Sequence, residues 1–193
     1  MADYIRLQKN LSIYMTSRGS GAFQAAMAAR EMFCEIRPEI RIEVIDPLNV
    51  SMCHGWMVIE AARAVLANQP FNDILICVMQ MILVTHMLQP ADTLKYLYMV
   101  GRIGKAKHLV GSLLNINPIV EMDKGMIIPM GTARSHRQAY QMMLEMVGKV
   151  VGRSKIKFAY QGHSSSGVAM PGWSTSRISP WWLIRMRKPI IPR

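Results

Sequence analysis

The sequence predicts an α/β protein of two lobes, a parallel βαβ lobe followed by an antiparallel lobe of strands and helices. Three observations carry this. Short β-prone runs alternate with helix-forming stretches through the first half, the pattern shifts at Pro90, and beyond it two apolar runs flank the loop Asp123-Lys124-Gly125.

Leu11–Met15 is a short apolar run that enters Thr16-Ser17-Arg18-Gly19-Ser20-Gly21 and then Ala22–Phe33, rich in Ala, Met, Gln and Glu. This is strand, tight loop, helix. Arg41–Ile45 alternates polar and apolar residues as a second strand, and Asp46-Pro47-Leu48-Asn49 is turn chemistry ahead of a helix near Ser51–Leu66. The four elements make a parallel unit with a right-handed crossover. A further helix is expected over Asn72–Thr85, in a segment apolar all round.

Past Pro90, Asp92 is placed to cap a short helix through Tyr98, Gly101-Arg102-Ile103-Gly104 breaks the chain, and a helix is expected near Lys105–Leu114. Ile116–Met122 and Met126–Met130 form the hairpin. An amphipathic helix from about Ser135 to Val151 and a strand at Lys155–Tyr160 complete the lobe. The expected division is 1–88 for a partial parallel lobe, 89–160 for the antiparallel lobe, and 161–193 for an irregular basic tail outside the fold.

Composition narrows the function. The longest apolar stretch, Ile74–Leu88, is interrupted by Gln80, Thr85 and His86, and falls short of the roughly 20 residues that span a bilayer. The first ten residues lead into no export signal, so a cytoplasmic protein is expected. Cys34, Cys53 and Cys77 are widely spaced and have no histidine pair to complete a zinc site, so they read as reduced thiols. The formal net charge of +11 suggests nucleic acid until it is mapped. Residues 1–145 hold all 12 acidic and 14 of the 23 basic side chains, and 146–193 hold the other 9 basic ones. The basicity belongs to the tail. That tail carries Trp173, Trp181 and Trp182 and four prolines. It reads either as a basic aromatic arm for a membrane surface or single-stranded nucleic acid, or as a segment without evolved function, such as a shifted reading frame.

Ser20-Gly21 is the most informative site. A helix start offers unpaired N–H groups and the positive end of the macrodipole, and glycine lets an anion approach the backbone. Ser20 could equally serve only as a cap of its own helix. Gly19-x-Gly21 lacks the third glycine of a dinucleotide fingerprint and the Lys-Ser/Thr of a P-loop. No serine elbow, carboxylate pair or Cys–His couple stands out, which favours a binding protein over an enzyme. Arg102, Lys105, Lys107, Arg134 and Arg137 form a basic set that reads as solvated surface or as a docking patch for an acidic partner, with Arg134 and Arg137 expected on one helical face.

Several of these stretches resemble the DegV family. They are Thr16 to Ala26, Val44-Ile45-Asp46 with Val50-Ser51-Met52 and Gly55, Asp92–Leu97 running to Gly101-Arg102-Ile103, Leu113–Ile119, and Gly125 with Arg134. The likeness runs in order through about residues 8–160. It implies the two-lobe DegV-type (EDD) fold and a fatty-acid binder, not an enzyme and without a cofactor, that presents a long-chain fatty acid to a separate bacterial kinase for phospholipid synthesis. By this resemblance Ser20 is a carboxylate contact, with Gly21 beside it, and Arg102, Arg134 and Arg137 lie where the family docks its kinase subunit. The 18 methionines would suit an acyl tunnel.

The departures are Val100 for a usual glycine, Asn117 for a lysine, Ala22 for a threonine and Pro47 for Ser or Thr. The family's opening Asp-Ser-Thr strand and Thr-Ser-Gln-Pro loop, and its His-x-Gly-Pro-Gly segment, have no counterpart here. The fold is therefore expected to be incomplete and the ligand held weakly or not at all, and self-association through exposed edges or Ile74–Leu88 is expected. The alternatives are a nucleotide- or phosphate-binding enzyme using Gly19-Ser20-Gly21, and a non-functional gene fragment.

Overall fold

A computed structural model of the chain describes residues 9–112, 116–151, 156–161 and 181–185. It divides into two compact units between Leu83 and Val84, a few residues ahead of the boundary drawn at 88. Ser164–Ser166, Trp173, the four tail prolines and Leu113–Asn115 lie outside the described residues.

The first unit is built as the alternation predicts. β1 (Lys9–Ile13), α1 (Ala22–Ile36) and β2 (Arg41–Ile45) make the parallel crossover, with Lys9 opposite Arg41 and Ile13 opposite Ile45. The Arg30 guanidinium donates to the Ile42 carbonyl at 2.7 Å and ties α1 to β2. α2 (Ser51–Leu66) and α3 (Phe71–Val84) follow. α2 buries Cys53, Met57, Glu60, Ala61 and Ala64, and α3 buries Ile74, Cys77, Val78 and Met81, each at the spacing of one helical face. Glu60 meets Arg63 one turn on at 2.7 Å, which supplies a counter-charge for the buried carboxylate.

α1 is different, because it buries no residue. Met32 and Ile36 are 68% and 75% exposed and Phe33 is also open, so its apolar side chains gain little from folding.

The second unit carries a five-stranded sheet in the order β5-β4-β3-β7-β6. Its strands are β3 (Thr85–Pro90), β4 (Asn117–Asp123), β5 (Met126–Ala133), β6 (Ile156–Gln161) and β7 (Trp181–Arg185), all antiparallel to their neighbours. Lys124 and Gly125 both have positive φ, so the hairpin closes through a two-residue loop whose backbone matches strand twist. Pro129 sits on the edge strand β5 beside a bulge at Ile119/Val120, where a missing N–H is tolerated.

Both faces of this sheet are covered. Ala139, Met142, Met143, Met146 and Val147 of α5 (His136–Val151) pack with Leu88, Ile119 and Ala133. Leu94, Leu97, Ile103, Ala106 and Leu109 gather instead with Ala91, Val120 and Ile127. Neighbouring residues Ile119 and Val120 thus serve two cores, which is why Pro118–Val120 is buried without alternation before Val120–Asp123 resumes it.

Several expectations are corrected. The helix expected near Lys105–Leu114 is present as a 3-10 helix over Gly104–Ser112, and Ile103, Ala106 and Leu109 recur at a period of three. The helix after Asp92 is α4 (Lys95–Met99), and Asp92 does not cap it. Thr93 Oγ1 accepts the Lys95 N–H at 3.1 Å, while Asp92 faces His136 at 3.3 Å. Thr85–Pro90 is strand where a helix end and a break are expected, because pairing with β4 and β7 outweighs local preference. Trp181–Arg185, assigned to an irregular tail outside the fold, is strand β7, between β3 and β6.

Amides of β1 and β2 should exchange faster than those of β4 and β5 in native-state hydrogen exchange, since α1 contributes no buried side chain to the parallel pair. Gly104 has φ +58, and an added Cβ would lie 2.4 Å from the Ile127 carbonyl oxygen, whereas at Gly101, φ +69, it would meet nothing within 4 Å. Denaturant unfolding should show Gly104→Ala costing about 2–4 kcal/mol and Gly101→Ala about 1 kcal/mol.

Candidate functional site

Open parallel sheets bind ligands beyond the carboxyl ends of their strands. In the first unit that end is made by the loop Tyr14–Gly21 after β1 and the loop Asp46–Val50 after β2. The two loops bond to each other. Tyr14 N–H donates to the Ile45 carbonyl at 3.3 Å and Thr16 N–H to the Asn49 carbonyl at 2.9 Å. Ser17 N–H donates to Asp46 Oδ2 at 3.2 Å, and Leu48 N–H to Asp46 Oδ1 at 2.8 Å. His54 of α2 adds a bond, its Nε2–H donating to the Ile13 carbonyl at 2.9 Å.

Within the first loop the buried Thr16 turns the chain. Its carbonyl accepts the N–H groups of Gly19 at 3.0 Å and Ser20 at 3.2 Å. Ser20 Oγ accepts the Ala22 N–H at 3.2 Å, so the hydroxyl proton is left for an acceptor outside the loop. The N-cap position is Gly21, with φ −74° and ψ −1° and no side-chain cap. Ser20 thus bonds the first helical turn from one residue further out than a cap.

Gly21 is informative. Its φ is ordinary for any residue, and an added Cβ would meet nothing within 4 Å. Nothing in the described fold demands glycine at this place. Leu48, at φ 51, and Ser51, at φ 53, are non-glycine residues in left-handed conformations in and just beyond the facing loop. Such conformations cost about 1 kcal/mol or more each and persist where surrounding bonds impose them.

The basic residues lie in the second unit. Arg102 follows Gly101, its N–H donating to the Leu97 carbonyl at 2.8 Å and its guanidinium reaching the Val100 carbonyl at 3.4 Å. Arg134 precedes α5 and is not in the helix. Its N–H donates to Gln138 Oε1 at 2.8 Å, while Gln138 N–H donates to Ser135 Oγ at 3.2 Å, a variant of the capping box. Arg137 is the second residue of α5. All three arginines are exposed. Lys107 lies over the Tyr98 ring at 5.8 Å.

Among the described residues no group of three or more His, Cys, Asp or Glu side chains could hold a metal, and no helix is long and apolar enough to cross a membrane. Cys34 is half-buried, and Cys53 and Cys77 are buried. Burial pushes the Cys53 thiol far up, so it packs as a hydrophobe.

The sequence matches the family described as "Uncharacterised protein, DegV family" over residues 3–175. The chain belongs to the DegV family. A DegV domain-containing protein of Clostridium perfringens is 29% identical over 153 residues, covering 79% of this chain and 54% of that protein. One from Clostridium acetobutylicum is 31% identical over 137 residues, covering 71% and 48%. The chain thus spans about half the length of the curated relatives it matches. Among solved structures, "Fatty Acid Binding of a DegV family Protein" from Thermus thermophilus aligns with a TM-score of 0.76 at 22% identity, over 91% of this chain and 70% of that one. The fatty acid kinase B3 protein of Streptococcus pneumoniae, loaded with linoleic acid, aligns with a TM-score of 0.70 at 20% identity, over 81% and 56%. These likenesses establish the DegV fold.

The glycine geometry yields a prediction about stability alone. Gly21→Ala should leave the thermal midpoint unchanged or raise stability by about 0.4–1 kcal/mol, because alanine narrows the unfolded ensemble and meets no obstacle.

Proposed function

We propose that this DegV chain is a fatty-acid-binding protein that holds a long-chain fatty acid by its carboxylate at Ser20 and Gly21 and presents it to a partner kinase. The observation that carries the reading is the pairing of a serine hydroxyl free to donate with a glycine that the fold does not need, both at the opening of α1 and at the carboxyl end of a parallel strand pair. A glycine where alanine would fit leaves the backbone open to a ligand. The ligands named for the Thermus thermophilus and Streptococcus pneumoniae proteins support the same class.

Arg102, Arg134 and Arg137 are proposed as the kinase-docking residues. Exposed guanidiniums suit an acidic protein surface, where they accelerate encounter more than they add affinity. In this reading the chain carries a ligand and catalyses nothing.

Affinity should be modest. A carboxylate leaving water needs several donors, and one hydroxyl with helix N–H groups offsets only part of that cost. Titration with carboxyl-13C-labelled oleate should show a one-to-one complex whose dissociation constant rises roughly tenfold in Ser20→Ala, about 1.4 kcal/mol. Gly21→Ala should weaken it as well while remaining folded. Thermal stabilisation by ATP with magnesium, but none by oleate, would replace the lipid reading with a phosphate-binding one.

A further inference from the structure

We infer that Asp46 is the positioning residue of the Ser20 site, setting where the serine hydroxyl points without itself touching the ligand; the inference rests on the fatty-acid reading above.

Asp46 follows the last residue of β2 and stands 29 positions from Ser17 in sequence, yet its carboxylate serves both loops. Oδ1 accepts the Leu48 N–H and Oδ2 the Ser17 N–H. From Ser17 the constraint passes to its neighbour Thr16, which is buried, and whose carbonyl fixes the Gly19 and Ser20 N–H groups. Ser20 Oγ is then held by the Ala22 N–H. The path from Asp46 to the hydroxyl is therefore a short run of hydrogen bonds and covalent links with few free torsions.

The chemistry calls for a carboxylate. Two N–H donors on two different loops need two acceptor oxygens on one side chain. Aspartate offers both, whereas the amide of asparagine offers one acceptor and a donor that cannot serve. Charge-assisted bonds to backbone N–H groups are also stronger than neutral ones. A second negative charge near an anion site is an electrostatic cost, so its presence is explained by what it holds and not by direct contact with a carboxylate ligand. Leu48, whose N–H Oδ1 accepts, is itself held in a left-handed backbone conformation.

The test uses the full chain and carboxyl-13C-labelled oleate, with Asp46→Asn, Ser20→Ala and the double variant. Asp46→Asn should weaken binding roughly three- to tenfold and shift the bound carboxyl resonance, and the Ser17–Ser20 amides should exchange faster while those of β4 and β5 do not change. In the Ser20→Ala background the same substitution should add almost nothing, because it acts through that hydroxyl. If the wild type binds and Ser20→Ala weakens it while Asp46→Asn binds as the wild type does, the positioning role is wrong. Equal weakening in both backgrounds also overturns it, since that is the signature of general damage to the unit. No binding by the wild type, or no effect of Ser20→Ala, removes the fatty-acid reading itself. Should Asp46→Asn unfold the first unit, Asp46→Glu keeps both acceptor oxygens but displaces them, and the same comparison of binding in the Ser20 and Ser20→Ala backgrounds decides.

Discussion

Loops beyond the ends of strands have few neighbours to satisfy their backbone, and in the first unit the two loops beyond the parallel strands solve this by satisfying each other. Tyr14 donates to the last residue of β2 and Thr16 to the second loop, and Asp46 collects one N–H from each loop. Buried backbone groups without partners are costly, so these bonds fix the loop shape more firmly than side-chain packing would. Ser20 and Gly21 inherit their position from that mutual arrangement. The helix they begin contributes little, since α1 buries none of its side chains.

The second unit works by the opposite principle. Its sheet is sandwiched between α5 on one face and the α4 and 3-10 segment on the other, and β4 supplies adjacent residues to both cores. Apolar burial dominates there, and the exposed arginines stand on short, well-fixed segments next to those cores. The Gly101 and Gly104 conformations and the capped start of α5 fix the backbone that carries Arg102, Arg134 and Arg137.

What the sequence revealed tracks how local the cause was. α5 was legible because Ala139, Met143 and Val147 recur at the helical period, and the hairpin because Gly125 sits between two apolar runs. The βαβ order and the serine at the start of α1 could be read for the same reason. β3 could not, because Thr85–Pro90 continues an apolar helix without a break, and only its partners β4 and β7 make it a strand. β7 was hidden by its surroundings, five residues in a basic, proline-rich stretch with no alternation. At the site, Asp46 was visible as turn chemistry and as part of the family resemblance, but not as a partner of the first loop. Its bond to Ser17 crosses 29 residues, a separation at which local pattern carries no information.

The strand order has a consequence for synthesis. β3 lies between β4 and β7, so one of its edges is filled early by a nearby strand, while the other waits for a strand about 90 residues further along the chain. At ribosomal rates that is an interval of roughly 5–20 s. Through it, the open edge of a half-assembled sheet is available to other chains. A strand translated long after β3 therefore closes the middle of the sheet, and a chain stalled before β7 carries its most adhesive part at the centre.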